Sequence, residues 1–156
     1  MTGYSGTPLL EKLGIDQRTR LVVSGAPSGW VELVLRPPPG VGVGDLRVRS
    51  ADVIVLFCPS RPDLEVGLPR ATQRLRPDGA LWVAWPKRAS GVATDMTEDA
   101  VREVALPTGL VDVKVAALDA TWSGLKLMVR RENRALWGKI AKTGPKLSGA
   151  SADTVV

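Results

Sequence analysis

Two stretches of the chain are apolar without a break, residues 53–58 and 80–85. Continuous β-branched and apolar runs of this length read as strands covered on both faces. "DVIVLFC" (52–58) and "ALWVAW" (80–85) are therefore expected at the centre of a parallel sheet, with "LVVS" (21–24) as a shorter strand ahead of them. Further on, "LVDVKVAAL" (110–118) and "LKLMVRR" (125–131) are separated by the six residues "DATWSG". Six residues cannot carry a parallel crossover, so this pair is expected to be an antiparallel hairpin. Between the strands lie helical patterns. "LLEKL" has a hydroxyl at Thr7, Pro8 as its first helical residue and Gly14 past its end. "SGWVELVLR" (28–36) is stopped by Pro37, Pro38 and Pro39. Residues 61–79 read as a helical crossover interrupted by Gly67 and Pro69 and closed by the turn Pro77-Asp78-Gly79. Asp95, with Glu98 three residues on, reads as a capping box for a helix that ends at Pro107 and Gly109. Residues 40–50 hold one or two short strands around Val41, Val43 and 46–48.

Strand, helix, strand, helix, strand, helix and a terminal hairpin define an α/β fold. It is a three-layer Rossmann-like doubly wound sheet, mostly parallel, with a C-terminal antiparallel hairpin. One domain is expected over 1–131, its first 20 residues forming a helix and a lead-in. Residues 132–156 are expected to form a basic C-terminal helix with a narrow stripe of Leu136, Trp137 and Ile140, then a disordered tail from Thr143.

Composition narrows the chemistry. At 156 residues the chain is long enough for one core without disulfide or metal staples. No apolar run approaches the roughly 20 residues of a membrane span, and "MTGYSGTPLL" lacks the layout of a secretory leader. A cytoplasmic protein is expected. Histidine is absent and Cys58 is the single cysteine. This excludes Ser/His and Cys/His pairs, Cys-rich zinc spacing and an internal disulfide, and no metal site is expected. The net charge of +5 is unevenly distributed: residues 1–125 hold 14 Lys/Arg against 14 Asp/Glu, residues 126–156 hold 7 against 2. Any electrostatic attraction to nucleic acid or an acidic membrane would thus come from the C-terminal basic segment, with Arg130, Arg131, Arg134, Lys139, Lys142 and Lys146, rather than from the body; a solvated tail is the ordinary reading of such a segment.

Candidate ligand chemistry centres on "LVVSGAPSGW" (21–30), a strand running into a loop with Gly25 and Gly29. Glycines there allow a tight turn and let backbone N–H groups approach a nucleotide. Asp45 lies 20 residues after Gly25, the usual spacing for an acid that accepts from ribose hydroxyls. Lys87, Arg88 and Ser90 follow the end of a central strand, the side on which open α/β sheets bind ligands. Trp82 and Trp85 read as core or rim packing, and Trp122 as the residue closing the hairpin turn.

The order of elements resembles the class I S-adenosylmethionine (SAM)-dependent methyltransferase fold. The resemblance rests on "LVVSGAPSG", on "RPDGALWVAW" and on the hairpin "GLVDVKVAALDATWSGLKLMVRR". "GYSGTPLLEKLGI" and "WVAWPKRASGVATDMTEDAVREVALPTGLVDVKV" also look like a small uncharacterised bacterial family of truncated methyltransferase-like domains, over most of residues 3–131. The chain departs from the enzyme pattern in four places. Val23 stands where such enzymes carry an acid, Pro27 where the middle glycine stands, and Cys58-Pro59 where related ribosomal-RNA methyltransferases carry an acidic residue. Only 15 residues, 37–51, connect the first helix to the next strand. These departures imply a degenerate methyltransferase-like module with a binding or regulatory role, no catalytic residue assigned and no cofactor expected. Its partners are unknown, a protein partner or homodimer among them. The alternative is a SAM-dependent methyltransferase or nucleotide-ligand enzyme with Gly25, Ser28, Gly29, Asp45 and Lys87 around the cofactor.

Overall fold

The computed structural model describes residues 8–143. Thr7, the first seven residues, Lys146 and the tail from residue 144 lie outside the described residues. Six strands form one sheet: β1 Leu21–Ser24, β2 Val43–Gly44, β3 Ala51–Phe57, β4 Leu75–Pro86, β5 Leu110–Ala117 and β6 Trp122–Val129. Their order is β2-β1-β3-β4-β6-β5. β2, β1, β3 and β4 are parallel, and β6 inserts antiparallel between β4 and β5. The expected Rossmann-like sheet with a reversed terminal hairpin is the fold observed. β2 and β5 are the edges.

The two long apolar runs sit at the centre because both faces there are covered. On one face Ile54, Leu56, Leu81 and Val83 pack against Leu64, Leu68 and Ala71 of helix α2 (Arg61–Arg74) and Val101 of helix α3 (Glu98–Ala105). On the other face Val53, Val55, Phe57, Trp82 and Ala84 meet Leu13 of helix α1 (Leu9–Leu13), Trp30 and Leu35. Gly14 closes α1 in the left-handed conformation with φ of 80°.

Several local expectations are corrected. Pro8 occupies the cap of α1 rather than its first turn. α2 runs unbroken through Gly67 and Pro69. Gly67 lies close to the sheet: a Cβ there would make a tight 3.2 Å contact with Leu56 Cδ1. The turn at Pro77-Asp78-Gly79 bulges from within β4, whose pairing with β3 jumps from Ala51↔Leu75 to Val53↔Ala80. Asp95 does not open α3. Thr97 is its cap, accepting from the Ala100 N–H at 3.0 Å. Of the short strands expected in 40–50 only β2 forms, because Leu46 turns inward as a buried core residue. The helix expected at 28–36 is a single π-helical turn, Val31–Leu35, ended by Arg36 at φ 53°.

The C-terminal stripe is also different. A 3₁₀ segment, Arg131–Leu136, leads into helix α4 (Trp137–Thr143). Trp137 is only 2% exposed and donates from Nε1 to the Leu75 carbonyl at 3.1 Å, whereas Leu136 is 57% exposed. Gly109, at φ 102°, leaves room for that indole: a Cβ there would lie 3.3 Å from Trp137 Cζ3.

Candidate functional site

The sheet reverses its winding between β1 and β3, and the crevice outside the carboxyl ends of such neighbouring strands is where open α/β sheets bind ligands. The loop leaving β1 turns sharply through Gly25 and Gly29, at φ 76° and 80°, conformations that favour glycine. At Gly25 the constraint is also steric, since a Cβ would sit 3.1 Å from the Phe57 carbonyl oxygen. Beside this loop an open groove of about 770 Å³ runs toward β2, lined by Val23, Gly25, Gly29, Glu32, Asp45 and Arg47 among others.

Asp45 directly follows β2 and reaches this groove. Its carboxylate accepts from Arg47 Nη2 at 2.8 Å, from Arg47 Nε at 3.1 Å and from the Arg47 backbone N–H at 2.9 Å. The Arg47 side-chain bonds, then the backbone N–H, hold the Asp45 carboxyl down at about 2. It is therefore fully ionised at neutral pH. Arg47 Nε is shared between the two oxygens, at 3.2 Å to Oδ1 and 3.1 Å to Oδ2, so Arg47 occupies the roughly four acceptor sites of the carboxylate and a hydroxyl donor would have to displace part of that fork.

The carboxyl end of β3, where the resemblance places reaction chemistry, is closed. The Cys58 N–H donates to the Ala84 carbonyl at 2.7 Å. Thr94 Oγ1 donates to the Pro59 carbonyl at 2.5 Å, and Asp95 accepts from the Arg61 N–H at 2.8 Å, filling the first donor of α2. Cys58 is fully buried. Burial, with Asp63 adding to it, pushes its thiol up to about 12, so no thiolate forms at neutral pH. On the opposite face Trp30, Phe57 and Trp122 stack edge to face, with centroids 4.8 and 4.9 Å apart. Trp30 Nε1 donates to Asp119 Oδ2 at 3.0 Å, fastening the glycine loop to the hairpin turn. Asp119 Oδ1 shapes that turn by accepting from the N–H groups of Thr121 and Trp122, each at 2.8 Å.

The structure thus gathers Gly25, Gly29 and Asp45 around one groove. Ser28 belongs to the same loop but does not line it. Lys87 lies beyond β4, its N–H bonded to the Thr121 carbonyl at 2.7 Å, in a separate depression with Arg88, Asp95 and Ser123. Arg47 and Glu32 were not anticipated, although Arg47 could have been found from its place two residues after Asp45. Among the described residues no group of three or more His, Cys, Asp or Glu is placed to hold a metal ion, and no helix is long and apolar enough to cross a membrane.

No protein-family model matches the sequence, and no curated protein matches it. Solved structures do. The Bacillus subtilis tRNA methyltransferase TrmK is 15% identical, with 90% of this chain and 75% of that one covered at a TM-score of 0.48. The N-methyltransferase NodS from Bradyrhizobium japonicum WM9 is 15% identical over 69% of this chain and 72% of its own, at 0.44. MtNAS in complex with S-adenosylmethionine is 12% identical over 77% and 58%, at 0.47. The fold assignment rests on strand order and register rather than on these likenesses.

Proposed function

We propose that the chain is a methyltransferase-like module that binds the nucleoside part of a SAM- or nucleotide-type ligand in the Gly25–Asp45 groove and carries out no transfer on it. The observation that carries this reading is the asymmetry of the crevice. Its β2 side is open and offers glycine backbone and an ionised acid. On its β3 side the Cys58 N–H, the Pro59 carbonyl and the Arg61 N–H are bonded internally and the one thiol is buried.

A SAM ligand therefore fits in part. Gly25 and Gly29 would lie against the nucleoside, and Asp45 would accept from ribose hydroxyls. Pro27 has no N–H to offer, and its carbonyl is taken by the Trp30 N–H at 3.0 Å. Val23, half-buried at the strand end, supplies no acceptor for an amino group. No step of methyl transfer follows from these residues. The reading predicts binding in the micromolar range by calorimetry for SAM and for S-adenosylhomocysteine alike. Asp45→Ala is expected to weaken both about tenfold or more, corresponding to about 1.4 kcal/mol. No heat at millimolar ligand would remove the ligand reading, and turnover of labelled SAM would establish the enzyme instead.

A further inference from the structure

The first 125 residues are neutral overall, but their arginines are unevenly placed. At the carboxyl edge of the sheet the acids Asp63, Glu98 and Asp99, in the first turns of α2 and α3, stand among the cations Arg61, Lys87 and Arg88. Arginines gather at the opposite edge, where the parallel strands begin. Arg20 precedes β1, Arg49 lies just before β3, and Arg74 and Arg76 flank Leu75 at the start of β4. Arg131 and Arg134 follow the end of β6. The Trp137–Leu75 hydrogen bond, at 3.1 Å, ties these two groups together, because Leu75 lies between Arg74 and Arg76 and Trp137 follows the segment holding Arg131 and Arg134. The C-terminal basic segment therefore completes a basic edge that the body already carries.

The acids on this edge offset it only in part. Arg76 pairs with Asp52 at 3.1 Å and with Asp78 at 3.8 Å, Asp52 also accepts from the Arg20 N–H at 2.8 Å, Asp16 accepts from the Arg18 N–H in its own turn, and Glu132 follows Arg131. Arg49, Arg74, Arg131 and Arg134 have no acidic partner among the described residues. Helix-end electrostatics accounts for Arg74 at the end of α2. It does not account for Arg20 or Arg49, which end no helix, nor for Arg131, which stands at the start of a helical segment where a cation is disfavoured.

We propose that this amino edge of the sheet, from Arg20 and Arg49 across Arg74 and Arg76 to Arg131 and Arg134, binds the phosphate backbone of nucleic acid. β1 and β6 are three strand spacings apart, so the edge spans about 14 Å, enough for several phosphates of one strand. The arginine fork matches phosphate in bidentate geometry, and repeated cations along a line give sequence-independent affinity. Trp137, the only aromatic residue after residue 125, is buried and supplies neither a base-stacking platform nor a membrane anchor. The interaction is thus electrostatic, and it is independent of whether the groove at the other edge holds a ligand.

Fluorescence anisotropy of a labelled single-stranded RNA with the full chain tests this. With four phosphates engaged, affinity should fall about 50-fold between roughly 50 and 200 mM salt. The exposed double reversal Arg49→Glu/Arg131→Glu should weaken binding about tenfold or more at low salt. The charge-matched control Arg36→Glu/Arg88→Glu, away from this edge, should change it less than about twofold. Circular dichroism checks that each variant is folded, and the single reversals Arg49→Glu and Arg131→Glu replace the double one if it is not. Absent binding at low salt, affinity indifferent to salt, equal loss in the control, or tighter binding to phosphatidylserine vesicles than to RNA would each overturn the proposal.

Discussion

Replacing Trp30 by alanine is expected to lower the thermal midpoint by about 10–20 °C. Trp30 is 3% exposed, and removing a buried aromatic side chain costs about 3–5 kcal/mol. For a domain of this size each kcal/mol shifts the midpoint by roughly 3–4 °C. The loss has two parts that can be separated. Trp30→Phe keeps a ring against Phe57 but removes the Nε1 donor to Asp119, so about 1 kcal/mol of its loss belongs to that bond, the rest to the smaller ring. Asp119→Asn keeps one oxygen for the turn N–H groups but sets an NH2 donor opposite Trp30 Nε1–H, so it should cost about 1 kcal/mol or more. A shift of under about 3 °C for Trp30→Ala, measured by differential scanning calorimetry, would mean that the ring does not pack as described. The consequence extends beyond stability, because Trp30 fastens the glycine loop to the hairpin turn through Asp119.

The second large effect concerns the C-terminus. Trp137→Ala should also cost about 3–5 kcal/mol, since the indole is 2% exposed and bonded to the Leu75 carbonyl. The neighbouring Leu136→Ala should stay within about 0.5 kcal/mol, its side chain being 57% exposed. Chemical denaturation of the two variants side by side reads the difference. Similar small losses in both would show that α4 is an independent appendage; a large loss in Trp137→Ala alone makes it part of the core.

What the sequence made legible was the part governed by periodicity. The runs 53–58 and 80–85 could only be central strands, and six residues between two later strands could only make a hairpin. The position of Asp45 beside the glycine loop was also legible, because the spacing from Gly25 reflects a βαβ unit of fixed length. What escaped was decided by tertiary packing. Pro69 stays within a helix because α2 is held by Leu64, Leu68 and Ala71 against the sheet, an environment that outweighs local propensity. Asp95 left its expected cap because the unbonded Arg61 N–H was the better partner. The buried face of Trp137 and the arginine edge depend on which segments meet at Leu75, and no local pattern encodes that meeting.

The central claim is that the crevice binds on its β2 side and is closed on its β3 side. Amide chemical-shift mapping during titration with S-adenosylhomocysteine tests it most directly. The account predicts saturable shifts at Gly25, Gly29 and Asp45, with Cys58, Ser60, Arg61 and Lys87 unmoved. Shifts centred on Cys58–Arg61 or on Lys87, or no shift at Gly25 and Asp45 at saturating ligand, would contradict it.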